Sequence, residues 1–390
     1  MKRCERLTVC LFFVLLFGGA LLFPVLPKSS FSEQENRGLQ TFPTASAERL
    51  ATGRFSDEMN AFFADQFPFR DELVGLKGLL EIASGKGEND GILLGADGRL
   101  ARARFSALKS DGSVMEDSDL YDPLHLQNAC RGICRAADGM DVPFSVLLTG
   151  RNIDVAPEAF DYPRNISDGL LSAVESQLSP HVTFVSTIPL LREKSGNGEY
   201  VYYKTDHHWT PLGAYYGYVE VMRSFGMEAE TLPADRFQKQ TVSTSFYGTL
   251  WSAGGMKWIS PDSVDLWFIG NEDEFLVVAD GKELEGFYCE KWLSKKDHYS
   301  VFLDGTHDVV TITRKNGVKR PTLLILKDSF ANSLAPFLAQ HFDLILLNLS
   351  STRQDFTDIS SLTSLYDPDR VLLVYTLENL ITAEKLCRLR

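Results

Sequence analysis

Five short apolar runs constrain the fold of this chain most. They are "VPFSVLLTG" (142–150), "HVTFVSTI" (181–188), "TLLILKDSF" (322–330), "DLILLNL" (343–349) and "RVLLVYTL" (370–377). A strand with one wet face alternates apolar and polar residues; these runs do not, so they read as strands buried on both faces of a parallel sheet. Helical stretches lie between them, among them "LHLQNACRGICRAADG" (124–139), closed by Gly139, "PEAFDYPRNISDGLLSAVESQLS" (157–179) and "FANSLAPFLAQH" (330–341). That alternation predicts an α/β fold with three α/β/α layers and a short parallel sheet. Between about 236 and 320 the rhythm changes to short strand-like pieces such as "DLWFIG", "FLVVAD" and "VVTITRK" separated by Gly, Asp and Asn. This stretch reads as an antiparallel β insertion.

The front of the chain differs. Lys2, Arg3 and Arg6 precede the uncharged run "LTVCLFFVLLFGGALLF" (7–23). A basic end followed by an apolar run predicts an N-terminal membrane anchor over residues 1–27, with the remainder on the extracytoplasmic side. No A-x-A cleavage site follows; a cleaved signal peptide and secretion is the second reading. Residues 28–110 read as a linker and an N-terminal helical segment. Apolar residues recur there at helical spacing over 47–84, and Pro68 divides that pattern into two helices. Asp97-Gly98 in "GILLGADGRL" (91–100) supplies the turn of a hairpin. Residues 111–390 form the predicted main domain. A net charge of −13 gives no electrostatic footprint for nucleic acid. Six cysteines without a C-x-x-C pair exclude a disulfide scaffold and a structural zinc site.

Two places carry chemistry. The first is "YKTDHHWTPLGAYYGY" (203–218). Thr210 and Pro211 are a capping hydroxyl and a first-turn proline, so a helix begins there and Asp206, His207 and His208 sit on the loop before it. Such a loop serves a metal, an acid–base unit or simple packing. The second is "LLILKDSFANSLAPFL" (323–338), where Ser329 lies at a strand-to-helix turn. A serine there is exposed beside a helix N-terminus that can stabilise an oxyanion, although a residue at that place also caps a helix. Taken together, the two places supply a nucleophile, a base and an orienting carboxylate. In an extended segment Asp206 and His208 point the same way and His207 the other.

These residues resemble the SGNH-hydrolase-like proteins of the alginate O-acetylation group, and more nearly the DHHW proteins of Gram-positive bacteria. The resemblance rests on Asp206 to Thr210, on "KDSFAN" (327–332) with Pro336 and Phe337, on "ENRGLQTFP" (35–43), on "GRFSDEMNAFFADQFPFRD" (53–71) and on "FYGTLWSAGG" (246–255). It implies an SGNH-type domain with Asp206, His208 and Ser329 as the triad. It also implies acetyl transfer to, or removal from, an exported polysaccharide, a membrane-bound acyltransferase that exports acetyl groups as partner, and no cofactor or metal. Lys327 stands where the usual motif has glycine. Gly150, Asn152, Tyr247 and Gly248 are the candidates to line the site or hold the oxyanion, with His207 and Trp209 beside the triad.

Two other classes compete. One is a glycan-binding or assembly component that keeps the fold without catalysis, which the Lys327 departure leaves open. The other is a metallophosphoesterase with a "DHH" motif. That chemistry needs further Asp and His ligands in the N-terminal half, where only His125 and His181 occur.

Overall fold

The computed structural model describes residues 3–32, 34–35, 37–103, 121–160 and 167–390. The boundary expected near residue 110 lies outside them. The chain divides into two compact units, residues 1–90 with 252–258, and residues 91–251 with 259–390.

In the first unit the N-terminal run folds as a helix, Arg3–Leu22. Its Leu7, Phe12, Val14, Phe17 and Leu21 side chains are exposed. Among the described residues no helix is long and apolar enough to cross a membrane, so the expected anchor is not supported. The reason is length. The uncharged part of this helix begins at Leu7 and stops at Leu22; at ~1.5 Å per residue that is about 24 Å, short of the ~30 Å hydrocarbon core. Pro68 does separate two helices, Arg54–Asp65 and Arg70–Ala83, with Phe69 between them in the left-handed region at φ 56°. Arg37 clamps Asp65 through two hydrogen bonds of 3.1 and 2.6 Å, and Glu35 joins Arg37 to Arg70.

The second unit is built on an eight-stranded sheet. In chain order its strands are β1 (Phe144–Thr149), β2 (Val182–Ser186), β3 (Phe275–Ala279), β4 (Lys282–Glu283), β5 (Val309–Arg314), β6 (Thr322–Lys327), β7 (Asp343–Asn348) and β8 (Arg370–Thr376). Across the sheet they run β4-β3-β5-β7-β6-β8-β1-β2. The five apolar runs are the five parallel strands β7, β6, β8, β1 and β2. Successive residues feed opposite cores. Leu323 and Ile325 face a core shared with the helices Pro211–Ser224 and Ala331–Leu338, while Leu324 and Leu326 face one shared with the helix Pro123–Asp138.

The stretch 236–320 departs from a self-contained insertion. Its strands β3, β4 and β5 extend the main sheet antiparallel, and Val309–Ile312 pair with Leu344–Leu347 of β7. The sheet is therefore mixed. Only Gln238–Phe246 and Asp262–Phe268 make a separate two-stranded hairpin. The 91–100 turn forms as expected, with Ile92–Leu94 pairing Leu100–Arg102 and left-handed backbone at Asp97 and Gly98. Cys10, Cys130, Cys134, Cys289 and Cys387 are free thiols.

Candidate active site

Parallel strands in an open sheet deliver their loops to one edge, where ligands bind. Here β6 ends at Lys327 and turns into the helix Ala331–Leu338. Asp328 builds that turn. Its Oδ1 accepts from the Phe330 N–H at 3.0 Å, and its Oδ2 accepts from the Thr376 N–H at 2.8 Å and Asn379 Nδ2 at 2.9 Å. Asp328 thus ties the turn to the end of β8 and leaves Ser329 as the residue offered to the cleft.

The Asp206–His208 loop is closed at its base. Tyr203 N–H donates to the His208 carbonyl at 3.2 Å and Thr210 N–H to the Val201 carbonyl at 2.9 Å. Thr210 then caps the helix through its Oγ1, which accepts from the Gly213 N–H at 3.3 Å. The helix sequence is cut to fit Trp209. A Cβ at Gly213 would lie 2.2 Å from the Val201 carbonyl oxygen, and one at Gly217 would lie 2.8 Å from the Trp209 ring. Trp209 is fully buried and donates Nε1 to Ser333 Oγ at 2.8 Å and to the Phe330 carbonyl at 3.2 Å. It therefore pins the loop to the serine helix.

The loop and the turn meet. His208 Nε2 lies 2.7 Å from Ser329 Oγ, and His208 Nδ1 lies 2.6 Å from Asp206 Oδ1. The Asp206 Oδ1 also accepts from the His208 N–H at 3.0 Å, and Oδ2 accepts from the Thr249 N–H at 2.8 Å and Thr249 Oγ1 at 3.0 Å. Burial works against the Asp206 charge, but the imidazoles and these hydrogen bonds outweigh it and hold the carboxyl far below the usual range. An ionised Asp206 can only accept, so His208 carries its hydrogen on Nδ1 and presents a lone pair to Ser329. A hydroxyl, an imidazole and a carboxylate in this order can move a proton off the serine as it attacks an electrophile.

The loop geometry rests on residues that carried no signal in the sequence. Asp262, buried, accepts from the Lys204 N–H at 2.9 Å, the Thr205 N–H at 2.8 Å, Thr205 Oγ1 at 2.5 Å and the Tyr200 hydroxyl. Tyr299 lies flat on His208, ring centroids 3.6 Å apart and planes within 7°. Its hydroxyl donates to the Ser329 carbonyl at 3.3 Å. Thr249 could have been suspected from its place in "FYGTLWSAGG"; Tyr299 could not, since its neighbourhood reads as an ordinary strand.

The other expected residues are placed as follows. His207 meets Thr249 Oγ1 through Nδ1 at 2.7 Å. Asn152 is buried and spends Nδ2 on the carbonyls of Leu100, Tyr203 and Asp206 at 2.8, 2.9 and 3.2 Å. It is a staple for the loop. Gly150 packs against Asp154 and Ile188, and its carbonyl accepts from the Tyr202 hydroxyl at 2.8 Å. Gly248 donates its N–H to Thr205 Oγ1 at 3.0 Å and abuts Asp206, where any Cβ would fall 2.2 Å from the aspartate Cβ. Tyr247 packs against Trp251, ring centroids 4.4 Å apart and planes tilted by 38°. The Asn152 Nδ2 hydrogens and the Gly248 N–H are thus already engaged. The Ser329 N–H, at the head of its helix, has no partner among the described residues.

Asp206, His207 and His208 bring ligand atoms within 4.8 Å of one another, close enough for one metal ion. Those atoms are committed to hydrogen bonds: both nitrogens of His208, both oxygens of Asp206 and Nδ1 of His207. An ion would have to break the Asp206–His208–Ser329 chain. The site fits proton transfer rather than metal binding.

In sequence, no curated protein matches the chain. Among solved structures, the chain is similar to a DHHW family protein from Eubacterium siraeum DSM 15702, at 20% identity over 76% of this chain and 97% of that one, with a TM-score of 0.57. It is also similar to Bacillus cereus PatB1, at 18% identity over 77% and 99%, with TM-scores of 0.60 alone and 0.59 with a sulfonyl adduct. At such identity the likeness establishes the shared fold. The sequence model of the family described as DHHW protein matches residues 173–347, a span that includes Asp206, His208 and Ser329. The chain carries a DHHW family domain.

Proposed function

We propose that this protein is a serine-dependent O-acetyltransferase or acetyl esterase that acts outside the cytoplasm on a cell-envelope or secreted polysaccharide. The observation that carries the reading is the unbroken chain from Asp206 through His208 to Ser329, at 2.6 and 2.7 Å. Ser329 Oγ attacks the acetyl carbonyl and its proton passes to His208 Nε2. Asp206 stabilises the imidazolium, and the π-face of Tyr299 beneath it adds cation–π attraction. The Ser329 N–H serves the oxyanion at the head of the helix. His208 then protonates the leaving oxygen. An acceptor hydroxyl or water repeats the steps in reverse to release the acetyl group.

The basic and apolar N-terminal run supports export. A polysaccharide substrate, and a membrane-bound acyltransferase as the source of acetyl groups, are what the sequence resemblance of Asp206 to Thr210 and "KDSFAN" (327–332) implies. The adduct described for PatB1 is a sulfonyl one, which is chemistry aimed at a nucleophile. The test is hydrolysis of 4-nitrophenyl acetate by the wild type and by Ser329→Ala, with labelling by a serine-directed phosphonate. Loss of both in the variant is expected. Full turnover by Ser329→Ala would overturn the reading.

A further inference from the structure

The reaction above uses His208 and leaves His207 without a task. The hydrogen bonds around Asp206 give it one. Thr249 has a single hydroxyl hydrogen. That hydrogen goes to Asp206 Oδ2 at 3.0 Å, because an ionised carboxylate can only accept. Thr249 Oγ1 therefore has only lone pairs to offer His207 Nδ1 at 2.7 Å. The hydrogen of that bond belongs to His207 Nδ1, and in a neutral imidazole Nε2 is then an acceptor. A second proton on this ring is opposed by its partial burial first and then by the neighbouring His208, which outweigh the pull of Asp206 and lower its pKa, so the ring is neutral at neutral pH.

One carboxylate thus sets two tautomers, His208 directly and His207 through Thr249. Both rings are held by Nδ1 beside Asp206 Oδ1, at 2.6 and 3.7 Å, and they lie against each other with centroids 3.8 Å apart and planes tilted by 37°. Their Nε2 atoms consequently face away from the aspartate. His208 Nε2 meets Ser329. Among the described residues nothing bonds His207 Nε2, and 32% of the side chain is open.

Two imidazole acceptors side by side suit a substrate with two hydroxyls side by side. We propose that the acetyl acceptor is a sugar carrying neighbouring hydroxyls, one held at His207 Nε2 while the other attacks the acetyl group on Ser329. The attacking oxygen forms the new bond to the acetyl carbon. The bond from that carbon to Ser329 Oγ breaks with its electron pair on Oγ. The proton of the attacking hydroxyl passes to His208 Nε2 and from there to Oγ, and the hydroxyl on His207 keeps its own.

This inference rests on the acetyl-transfer reading, and the experiment separates the two. The full chain is given 4-nitrophenyl acetate with ethanol, with four methyl glycosides (glucoside, galactoside, mannoside and N-acetylglucosaminide), and with the monodeoxy analogues of the best glycoside. The nitrophenolate burst reports acetylation of Ser329, and product analysis reports transfer. The wild type is expected to prefer the best glycoside over at least one monodeoxy analogue by about tenfold in kcat/KM, the value of one hydrogen bond at the favourable end. His207→Asn places an amide N–H where Nδ1–H was and keeps the Thr249 contact, but offers nothing at Nε2. It should bring that preference down to about twofold. His207→Gln returns an acceptor near Nε2 and should recover part of it. The proposal fails if no glycoside exceeds ethanol, if His207→Asn keeps the preference, or if both variants lower burst and transfer on every acceptor alike. A wild type that releases nitrophenolate no faster than Ser329→Ala sinks the acetyl-ester reading itself.

Discussion

Lys327 supplies a prediction whose size follows from its surroundings. It ends β6 with 2% of its surface exposed, and among the described residues no hydrogen bond reaches its ammonium. Burial lowers its pKa from 10.5 to about 8, against a smaller opposing pull from Asp328. At ~1.4 kcal/mol for each unit of pKa, holding the charge inside costs on the order of 3 kcal/mol. Below about pH 8 the lysine is protonated in both the folded and the unfolded chain, so the cost is present in full. Between about 8 and 10.5 the unfolded chain binds the extra proton, so stability rises with pH; above 10.5 the cost is gone. Replacing Lys327 by methionine keeps the length and removes the charge. Urea melts of wild type and Lys327→Met at pH 7, 8.5 and 10 give the difference directly, and other titrations cancel between the two. The variant should be more stable by about 3 kcal/mol at pH 7, and the advantage should shrink steadily by pH 10. A variant that is less stable at pH 7, or a difference that does not change with pH, would show that the ammonium has a partner and refute the reasoning.

Three further outcomes follow from the site. Gly248→Ala should push Asp206 off its place, since the new Cβ would lie 2.2 Å from the aspartate Cβ. Turnover of 4-nitrophenyl acetate should fall by about 10² or more while the folded spectrum survives. Tyr299→Leu should lower kcat by roughly 3- to 30-fold through loss of the cation–π face, whereas Tyr299→Phe should retain most of it; steady-state kinetics tells them apart. Trp209→Phe replaces the buried indole with a smaller phenyl and loses the bonds to Ser333 and the Phe330 carbonyl, and should cost about 2–5 kcal/mol in urea melts.

Most of the parallel half of the sheet was legible because burial on both faces writes a continuous apolar run; β2 departs from that expectation, since it lies at the sheet edge with Thr183 exposed. Each of those five runs became a strand. The antiparallel half was not, because pairing is not a local property. Val309–Ile312 read as strand residues, but nothing in them names Leu344–Leu347 as their partners. The apolar run at the front shows hydrophobicity without showing where the helix stops, and it stops at Leu22. At the site, Asp206, His208 and Ser329 were readable because helix-start and strand-turn chemistry placed them at element ends. The distant supports were not. Asp262 and Tyr299 reach the loop from segments whose own patterns describe only short strands and turns. Asn152 and Gly248 were placed near the right loop from sequence, but their hydrogen bonds serve that loop rather than open space.

The central claim is that Ser329 becomes acetylated through His208. Rapid quench of the wild type with 4-nitrophenyl acetate, followed by peptide mass spectrometry, tests it directly. One acetyl group per chain on Ser329, absent in His208→Ala, is the predicted result. Acetylation on another residue, or equal labelling of Ser329 without His208, would contradict it.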